Sequence, residues 1–334
     1  MDLHDFINPV VFLSRLFGLT PLTLVRDKVT GNRNYKLSNI WLVYSISFII
    51  IYNVSQIVAL LNCHLLTKSY LLIKCFKFVC FSNLFYTNII EVVTLFHTKK
   101  IVIIINELSF MKSNFQKPKE KYYRISRKCT SYFSILLICA TIFVTITFFN
   151  NFSLFFSYGN NFIGIVISIH FTLIMLPYFQ FIHLVIVLKE KFELINSNLK
   201  CTSNYLSQTM TVIPGLIYSR LKYFKSPVFQ LTPDRSDLSG DSMIKELRKI
   251  HYLLCEITEA LNYVYSAQLL VITIISFSQI TFCSYNFLQI ILQLGFKLFE
   301  RFEVALLTVY IVLFSSKYTI LSWLCCSTSF EVSE

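Results

Sequence analysis

Ile40–Leu61 reads IWLVYSISFIIIYNVSQIVALL and contains no charged side chain. About 20 consecutive apolar residues in a helix are enough to cross roughly 30 Å of hydrocarbon. Five further apolar runs follow along the chain: Tyr70–Phe96, Tyr132–Phe149, Phe162–Leu188, Val264–Leu292 and Val304–Leu324. Because 55% of the 334 residues are hydrophobic and only 14% are charged, the sequence predicts an all-α polytopic membrane helical bundle with six transmembrane helices.

The second run, Tyr70–Phe96, is the least regular of the six because charged residues lie inside it. Lys74 is only about 6 Å of helix rise from one end, and Glu91 is similarly close to the other. Side chains this near a helix end can snorkel to the membrane surface. We therefore expect both charges to reach water.

The placement of positive charge predicts the orientation of the chain. Under these spans, 24 of the 30 Lys and Arg residues fall on the side of the N-terminus and 3 on the opposite side. Segments rich in Lys and Arg remain in the cytoplasm, so the N-terminus is predicted to be cytosolic. The same distribution accounts for the net charge of +12 without a basic domain, and nucleic acid is not an expected partner.

The spans divide the chain into five segments. The first is a cytosolic N-terminal segment, 1–39, and the second holds transmembrane helices one to four, 40–188, with a cytosolic loop at 97–131. The third is a long cytosolic loop with helical extensions, 189–263, which forms an anchor region. Transmembrane helices five and six, 264–324, and a cytosolic tail, 325–334, complete the chain. Apolar residues recur at helical spacing at both ends of the long loop, from Leu188 to Leu199 and from Leu247 to Leu261. These stripes predict helices that pack either on each other or on neighbouring subunits, and the sequence favours neither arrangement.

Motifs of enzymes and metal sites are missing from the sequence. It has no HExxH, GxSxG, P-loop or GxGxxG pattern, and its ten Cys contain no CxxC pair. The six His show no metal-ligand spacing. We therefore expect no catalytic residue, no metal and no cofactor. A transporter is a second class to weigh, but the sequence lacks internal repeats, and Pro177 is the only proline inside a span.

Polar side chains in the outer halves of the spans are candidates for a ligand site, because such groups are costly in lipid unless they face the bundle or a cavity. They are His170, Gln279, Tyr285 and Tyr310. Hydrogen bonding between helices without any ligand would also account for them. Asn151 begins an Asn-Phe-Ser sequon on the predicted outer face and is a candidate for glycosylation.

Three stretches of the chain carry a family resemblance. They are Leu13–Leu22, LSRLFGLTPL; Leu188–Leu199, LKEKFELINSNL; and Leu247–Tyr285, which begins LRKIH and leads into the fifth span. In this order they resemble the insect gustatory receptors, an inverted-topology family of seven-span chemoreceptors. The resemblance implies a homo- or heterotetrameric ligand-gated cation channel in the plasma membrane of chemosensory neurons. It also implies a small-molecule tastant bound in the outer half of each bundle, and subunits joined through a cytosolic anchor region.

The end of the sequence departs from that family pattern. The family has a seventh, pore-lining helix with a Thr-Tyr and Gln-Phe signature, whereas this sequence ends ten residues after the sixth span, at Phe330–Glu334. The chain is therefore expected to be truncated before the seventh span, and without that helix it is not expected to conduct. Two alternatives remain open: a related insect odorant receptor, which shares the topology, and a membrane transporter.

Overall fold

The computed structural model describes residues 3–26, 33–62, 70–111, 161–210, 240–294 and 322–330, together with isolated positions at 139, 308, 312, 315–316 and 319–320. Its main elements are α1 Leu3–Leu16, β1 Leu22–Arg26, β2 Arg33–Leu37, α2 Asn39–Asn62, α3 Tyr70–Phe110, α4 Asn161–Met210 and α5 Gly240–Leu294. Most of the third and sixth predicted spans lie outside the described residues.

Three of these helices contain windows that are long and apolar enough to cross a membrane: Asn39–Ala59, Ser168–Lys200 and Ile244–Ser278. The helices α4 and α5 run well beyond the ends of the predicted spans, with 50 and 55 residues. A helix of 50 residues is roughly 75 Å long, which is more than twice the thickness of the hydrocarbon core. Both helices therefore continue past any bilayer that they cross.

The helix α1 and the β-hairpin lie at one end of the bundle, which we call the hairpin end. The carbonyl of Ser14 accepts hydrogen bonds from the backbone N–H groups of Leu19, at 2.8 Å, and Thr20, at 3.4 Å. Gly18 in this turn has a φ of +71°, and a Cβ there would lie 3.1 Å from the Phe48 side chain of α2. Glycine therefore suits both the backbone conformation and the close approach of the turn to α2.

One side chain of α3 holds the hairpin in place. The strands pair antiparallel from Leu22 opposite Leu37 to Arg26 opposite Arg33. The Asn106 side chain accepts a hydrogen bond from the buried Tyr35 backbone N–H, at 2.9 Å, and donates one to the Tyr35 carbonyl, at 3.0 Å. Its amide therefore satisfies the two groups that a third strand would otherwise pair at this point of the sheet edge.

The helix α4 lies at the centre of the bundle. It packs on α1, α2, α3 and α5. In the apolar 18-residue window within Ser168–Lys200, 94% of the residues are buried, against 22% in the corresponding window within Asn39–Ala59 of α2. A helix that is apolar all round belongs in the interior of a bundle, whereas a helix with one buried face lies at its surface.

The two apolar stripes at the ends of the predicted long loop pack on each other within one chain. The ring of Phe192 in α4 lies 5.6 Å from the ring of His251 in α5, and Leu254 is fully buried in the same core. Further along, the Tyr265 hydroxyl donates to Gln180 Oε1 at 3.3 Å. Residue numbers fall along α5 as they rise along α4, so the two helices are antiparallel. Of the two arrangements left open by the sequence, the one seen here is packing inside the subunit.

The helical segment 322–330 packs against the middle of α4. The Lys189 ammonium donates to Ser327 Oγ at 2.5 Å and lies 5.8 Å from the centre of the Trp323 ring. Glu193, one turn further along α4, is 3.8 Å from the same ammonium. Lys189 therefore joins the central helix to the last described helical segment, whose Leu324 is also buried in the core.

Candidate functional site

Four buried polar side chains meet inside the bundle, and we call them the His170 cluster: Tyr52 and Gln56 of α2, Thr87 of α3 and His170 of α4. His170 Nδ1 lies 2.7 Å from Thr87 Oγ1 and 3.2 Å from the Tyr52 hydroxyl. Gln56 Nε2 donates to the same Tyr52 hydroxyl at 2.7 Å. Three helices are therefore joined by one chain of hydrogen bonds in an apolar interior, where such bonds are costly to leave unmade.

Local helix geometry and aromatic neighbours shape this cluster. Tyr52 and Gln56 are four residues apart, so they lie one above the other on the same face of α2. The ring of Phe48 stacks on the Tyr52 ring with centres 6.5 Å apart, and Phe171 lies 5.7 Å from the His170 ring. Hydrogen-bonding groups beside aromatic faces suit a small molecule with one polar group and an apolar body.

A second polar contact joins α2 and α3 beside the cluster. Asn53 Nδ2 donates to Asn88 Oδ1 at 2.8 Å, and Asn88 Nδ2 donates to Asn53 Oδ1 at 2.7 Å. Each amide also donates to a carbonyl one turn earlier in its own helix, that of Ile49 or Leu84. This reciprocal pair sets the register of α2 against α3 next to Tyr52 and Thr87.

The buried face of α3 is a polar stripe. Thr87, Glu91, Thr94 and Thr98 follow one another at spacings of four, three and four residues, and each is at most 1% exposed. The prediction that Glu91 snorkels to water is therefore wrong. The reason is that Glu91 shares its helix face with residues packed against the bundle, and closeness to a predicted span end does not bring that face to solvent.

Contacts between α3 and α5 continue toward the hairpin end from this stripe. Gln268 Nε2 of α5 donates to Thr94 Oγ1 at 3.2 Å. The Tyr263 ring lies 4.0 Å from the Lys100 ammonium and 5.4 Å from the His97 ring. Burial, and then the charge of Lys100, lower the pKa of His97, which follows the second predicted span. Residue numbers fall along α5 as they rise along α3, so these two helices are also antiparallel.

The residues predicted to bind a ligand are only partly described. His170 lies in the cluster above, whereas Tyr285 of α5 is 43% exposed. Gln279 lies in α5, but its side chain is outside the described residues, as are Tyr310 and the candidate glycosylation site Asn151. The role of these residues in ligand binding stays a prediction.

The structure adds Tyr52, Gln56 and Thr87 to the candidate site, and the sequence signal for them is uneven. Tyr52 and Gln56 are polar residues spaced one turn apart in an otherwise apolar run, and this spacing can be recognised from the sequence alone. Thr87 is one of several threonines and carries no such mark. Among the described residues, no group of three or more His, Cys, Asp or Glu side chains is placed to hold a metal ion.

Comparison with known proteins agrees with this architecture. A family model described as 7tm chemosensory receptor matches residues 7–334. No protein with curated annotation matches the chain in sequence. The prediction of an all-α polytopic membrane helical bundle is therefore confirmed.

Two solved structures are similar in fold. The insect olfactory receptor OR5 from Machilis hrabei in complex with eugenol is 14% identical, with a TM-score of 0.61 over 96% of this chain and 79% of that chain. A second structure of the same receptor is 13% identical, with a TM-score of 0.60 over 98% of this chain and 81% of that chain. At this level of identity the likeness supports a shared fold.

Proposed function

Because the chain belongs to the 7tm chemosensory receptor family, we propose that it is a gustatory receptor that binds a small-molecule tastant inside its helical bundle. In this proposal it lies in the plasma membrane of chemosensory neurons with a cytosolic N-terminus. It acts as one subunit of a homo- or heterotetrameric, ligand-gated cation channel. The positive charge on the side of the N-terminus supports the orientation.

The observation that carries the proposal is the burial of the His170 cluster. Donor and acceptor groups of Tyr52, Thr87 and His170 from three helices converge at one place beside aromatic rings. A ligand that exchanges hydrogen bonds with these groups would change the contacts between α2, α3 and α4 directly. Such differential contact is what a ligand needs in order to shift a conformational equilibrium.

The taste assignment rests on the sequence stretches Leu13–Leu22, Leu188–Leu199 and Leu247–Tyr285. The specific alternative is an odorant receptor, which is favoured by the likeness in fold to an insect olfactory receptor. Both assignments place a small organic molecule in the bundle, so they differ in the identity of the ligand and in the neuron that carries the receptor.

Three further features belong to the proposal. The anchor region 189–263 joins the subunits through surfaces that the α4–α5 packing leaves exposed, such as Tyr252. Gln279, Tyr285 and Tyr310, which the sequence predicts in the outer halves of the spans, would contribute to ligand selectivity. Asn151 would carry a glycan on the extracellular side.

The experiment is a screen of cells that express the chain at their surface together with a second receptor subunit that has a pore-lining seventh helix, because this sequence is not expected to conduct alone. The readout is the whole-cell current above that of the second subunit alone. The panel contains sugars, bitter compounds, amino acids, carbon dioxide and eugenol. We expect at least one compound to evoke a cation current, and His170→Ala to abolish it or raise the half-maximal concentration at least about tenfold, equivalent to about 1.4 kcal/mol.

The matched control is His97→Ala, which removes an imidazole at the α3–α5 contact outside the cluster and is expected to leave the response near wild type. No current from any compound at normal surface expression would contradict the channel function. Uptake of a labelled compound without current would instead support the transporter alternative.

A further inference from the structure

Glu91 is a buried acid that no group among the described residues balances. Its side chain is 1% exposed, and both carboxyl oxygens lack a hydrogen-bond partner in the part of the chain that the structure describes. A buried charge without a partner costs several kcal/mol. Such a group in the interior of a membrane bundle calls for a function.

The helices around Glu91 carry no compensating charge. Neither α2, nor α4 over 161–188, nor α5 over 260–294 contains a Lys, Arg, Asp or Glu. On α3 itself the next positive charge is Lys99, eight residues and about 12 Å along the helix axis. The described surroundings of the acid are therefore apolar residues, threonines and amides.

The side chain of Gln268 supplies another acceptor beside it. The Thr94 hydroxyl donates to the Ile90 carbonyl at 2.6 Å, so its oxygen can only accept from Gln268. The amide must therefore turn Nε2 toward Thr94, which orients Oε1 away, and Oε1 is buried without a hydrogen-bond donor. Turning the amide over would put two acceptors face to face, so this orientation follows from the bonding pattern.

The helix register brings these acceptors to the same level. Glu91 is three residues before Thr94, about 4.5 Å along the axis on the same face of α3. Because α5 is antiparallel, its turn from Gln268 to Ile272 lies beside Glu91. The register therefore brings the two Glu91 oxygens and Gln268 Oε1 to the same level between the two helices, and none of the three has a hydrogen-bond donor among the described residues.

We propose that Glu91 and Gln268 Oε1 form a binding site for a small monovalent cation, either an inorganic ion such as Na⁺ or the ammonium head of an organic amine. One bound proton would let Glu91 donate to Gln268 Oε1 but would leave the other carboxyl oxygen without a donor, whereas a cation attracts all three oxygens. A divalent ion such as Ca²⁺ would call for more oxygen ligands than this pair of side chains offers. The site is distinct from the His170 cluster and extends the proposed function to a second ligand.

Its position couples it to the candidate ligand site. Thr87 of the His170 cluster is one turn, about 6 Å, from Glu91 on the same face of α3. A cation held between α3 and α5 would strengthen the contact made by Thr94 and Gln268. Cation binding at this site would therefore act on α3, the helix that also carries Thr87 of the His170 cluster.

The test is thermal unfolding of the purified full chain in lipid nanodiscs, at constant ionic strength. NaCl or methylammonium chloride replaces N-methyl-D-glucamine chloride stepwise. We expect a saturable rise of the unfolding temperature by roughly 2–4 °C or more with at least one small cation. A rise with Na⁺ alone identifies an inorganic ion site, and a rise with methylammonium alone identifies an amine site.

Variants assign the effect to the site. Glu91→Gln is expected to abolish the cation-dependent rise, and Gln268→Leu to increase the cation concentration at half effect at least about tenfold. Glu107→Gln, an exposed acid on the same helix, should behave as wild type. If Glu91→Gln does not fold, Gln268→Leu carries the test.

Two results would overturn the site: no cation-dependent rise in the wild type, which would mean that the carboxyl simply holds a proton, or an unchanged rise in the Glu91 and Gln268 variants. The outcome is separable from the proposed function, because His170→Ala should lose the tastant response while keeping the cation effect.

Discussion

The apolar windows of α2 and α4 have similar mean hydropathy, 1.8 and 2.1, and opposite surroundings. Only 22% of the 18-residue apolar window within Asn39–Ala59 is buried, against 94% of the window within Ser168–Lys200. In α2 the buried positions include Tyr52 and Gln56, while Ile50 and Val54 are exposed. Hydropathy therefore identifies both helices as spans. In a helix at the surface of the bundle, such as α2, the face that carries the polar residues is the one that packs against the other helices.

The largest expected effect tests the difference in burial between α4 and α2 directly. Leu176→Ala in α4 removes a fully buried side chain and should lower the free energy of unfolding by about 2–5 kcal/mol, because the central helix cannot collapse around the cavity. Ile50→Ala on the exposed side of α2 should change it by about 0.5 kcal/mol or less. Denaturant titration of the purified chain in mixed micelles measures both. Equal losses would mean that α2 is as enclosed as α4.

A smaller effect separates the two sides of α2. Tyr52→Phe removes a buried hydroxyl that bonds Gln56 and His170, and should cost about 1–3 kcal/mol because those partners lose a hydrogen bond. Tyr44→Phe also removes a bonded hydroxyl, the donor to the Leu16 carbonyl, but on the exposed side. That variant should lose at most about 0.5 kcal/mol. The same titration applies, and a reversed order of the two variants would contradict the assigned orientation of α2.

The smallest effect concerns the Asn53–Asn88 pair between α2 and α3. A double-mutant cycle with Asn53→Leu and Asn88→Leu should give a coupling energy of about 0.6 kcal/mol and not above about 1.7 kcal/mol. The cycle isolates the reciprocal hydrogen bonds from the other effects of each substitution. Additive single and double variants would show that the two amides do not depend on each other.

Part of this architecture could be read from the sequence. The run Ile40–Leu61 coincides closely with α2, and the stripes from Leu188 and Leu247 lie in α4 and α5. The hairpin Leu22–Leu37 was not predicted, because its short strands are held partly by Asn106, a residue distant in the chain. Periodicity predicts which residues share a helix face, but it does not predict which other element packs against that face.

The candidate site shows the same limit. His170 was singled out as a polar residue in a span, but its partners Tyr52 and Thr87 lie 118 and 83 positions away in the chain. No pattern within one helix selects those pairs. The burial of Glu91 was missed for the same reason, since the distance of a charge from a span end does not reveal which helix packs over it.

The most direct test of the account is a cryo-electron microscopy structure of the chain in nanodiscs with the strongest agonist from the screen. The account predicts ligand density inside the bundle, within hydrogen-bond distance of at least one of Tyr52, Gln56, Thr87 and His170, and no such density in His170→Ala. Density found only between subunits or on the lipid-facing side of α2, with the His170 cluster unchanged, would contradict it.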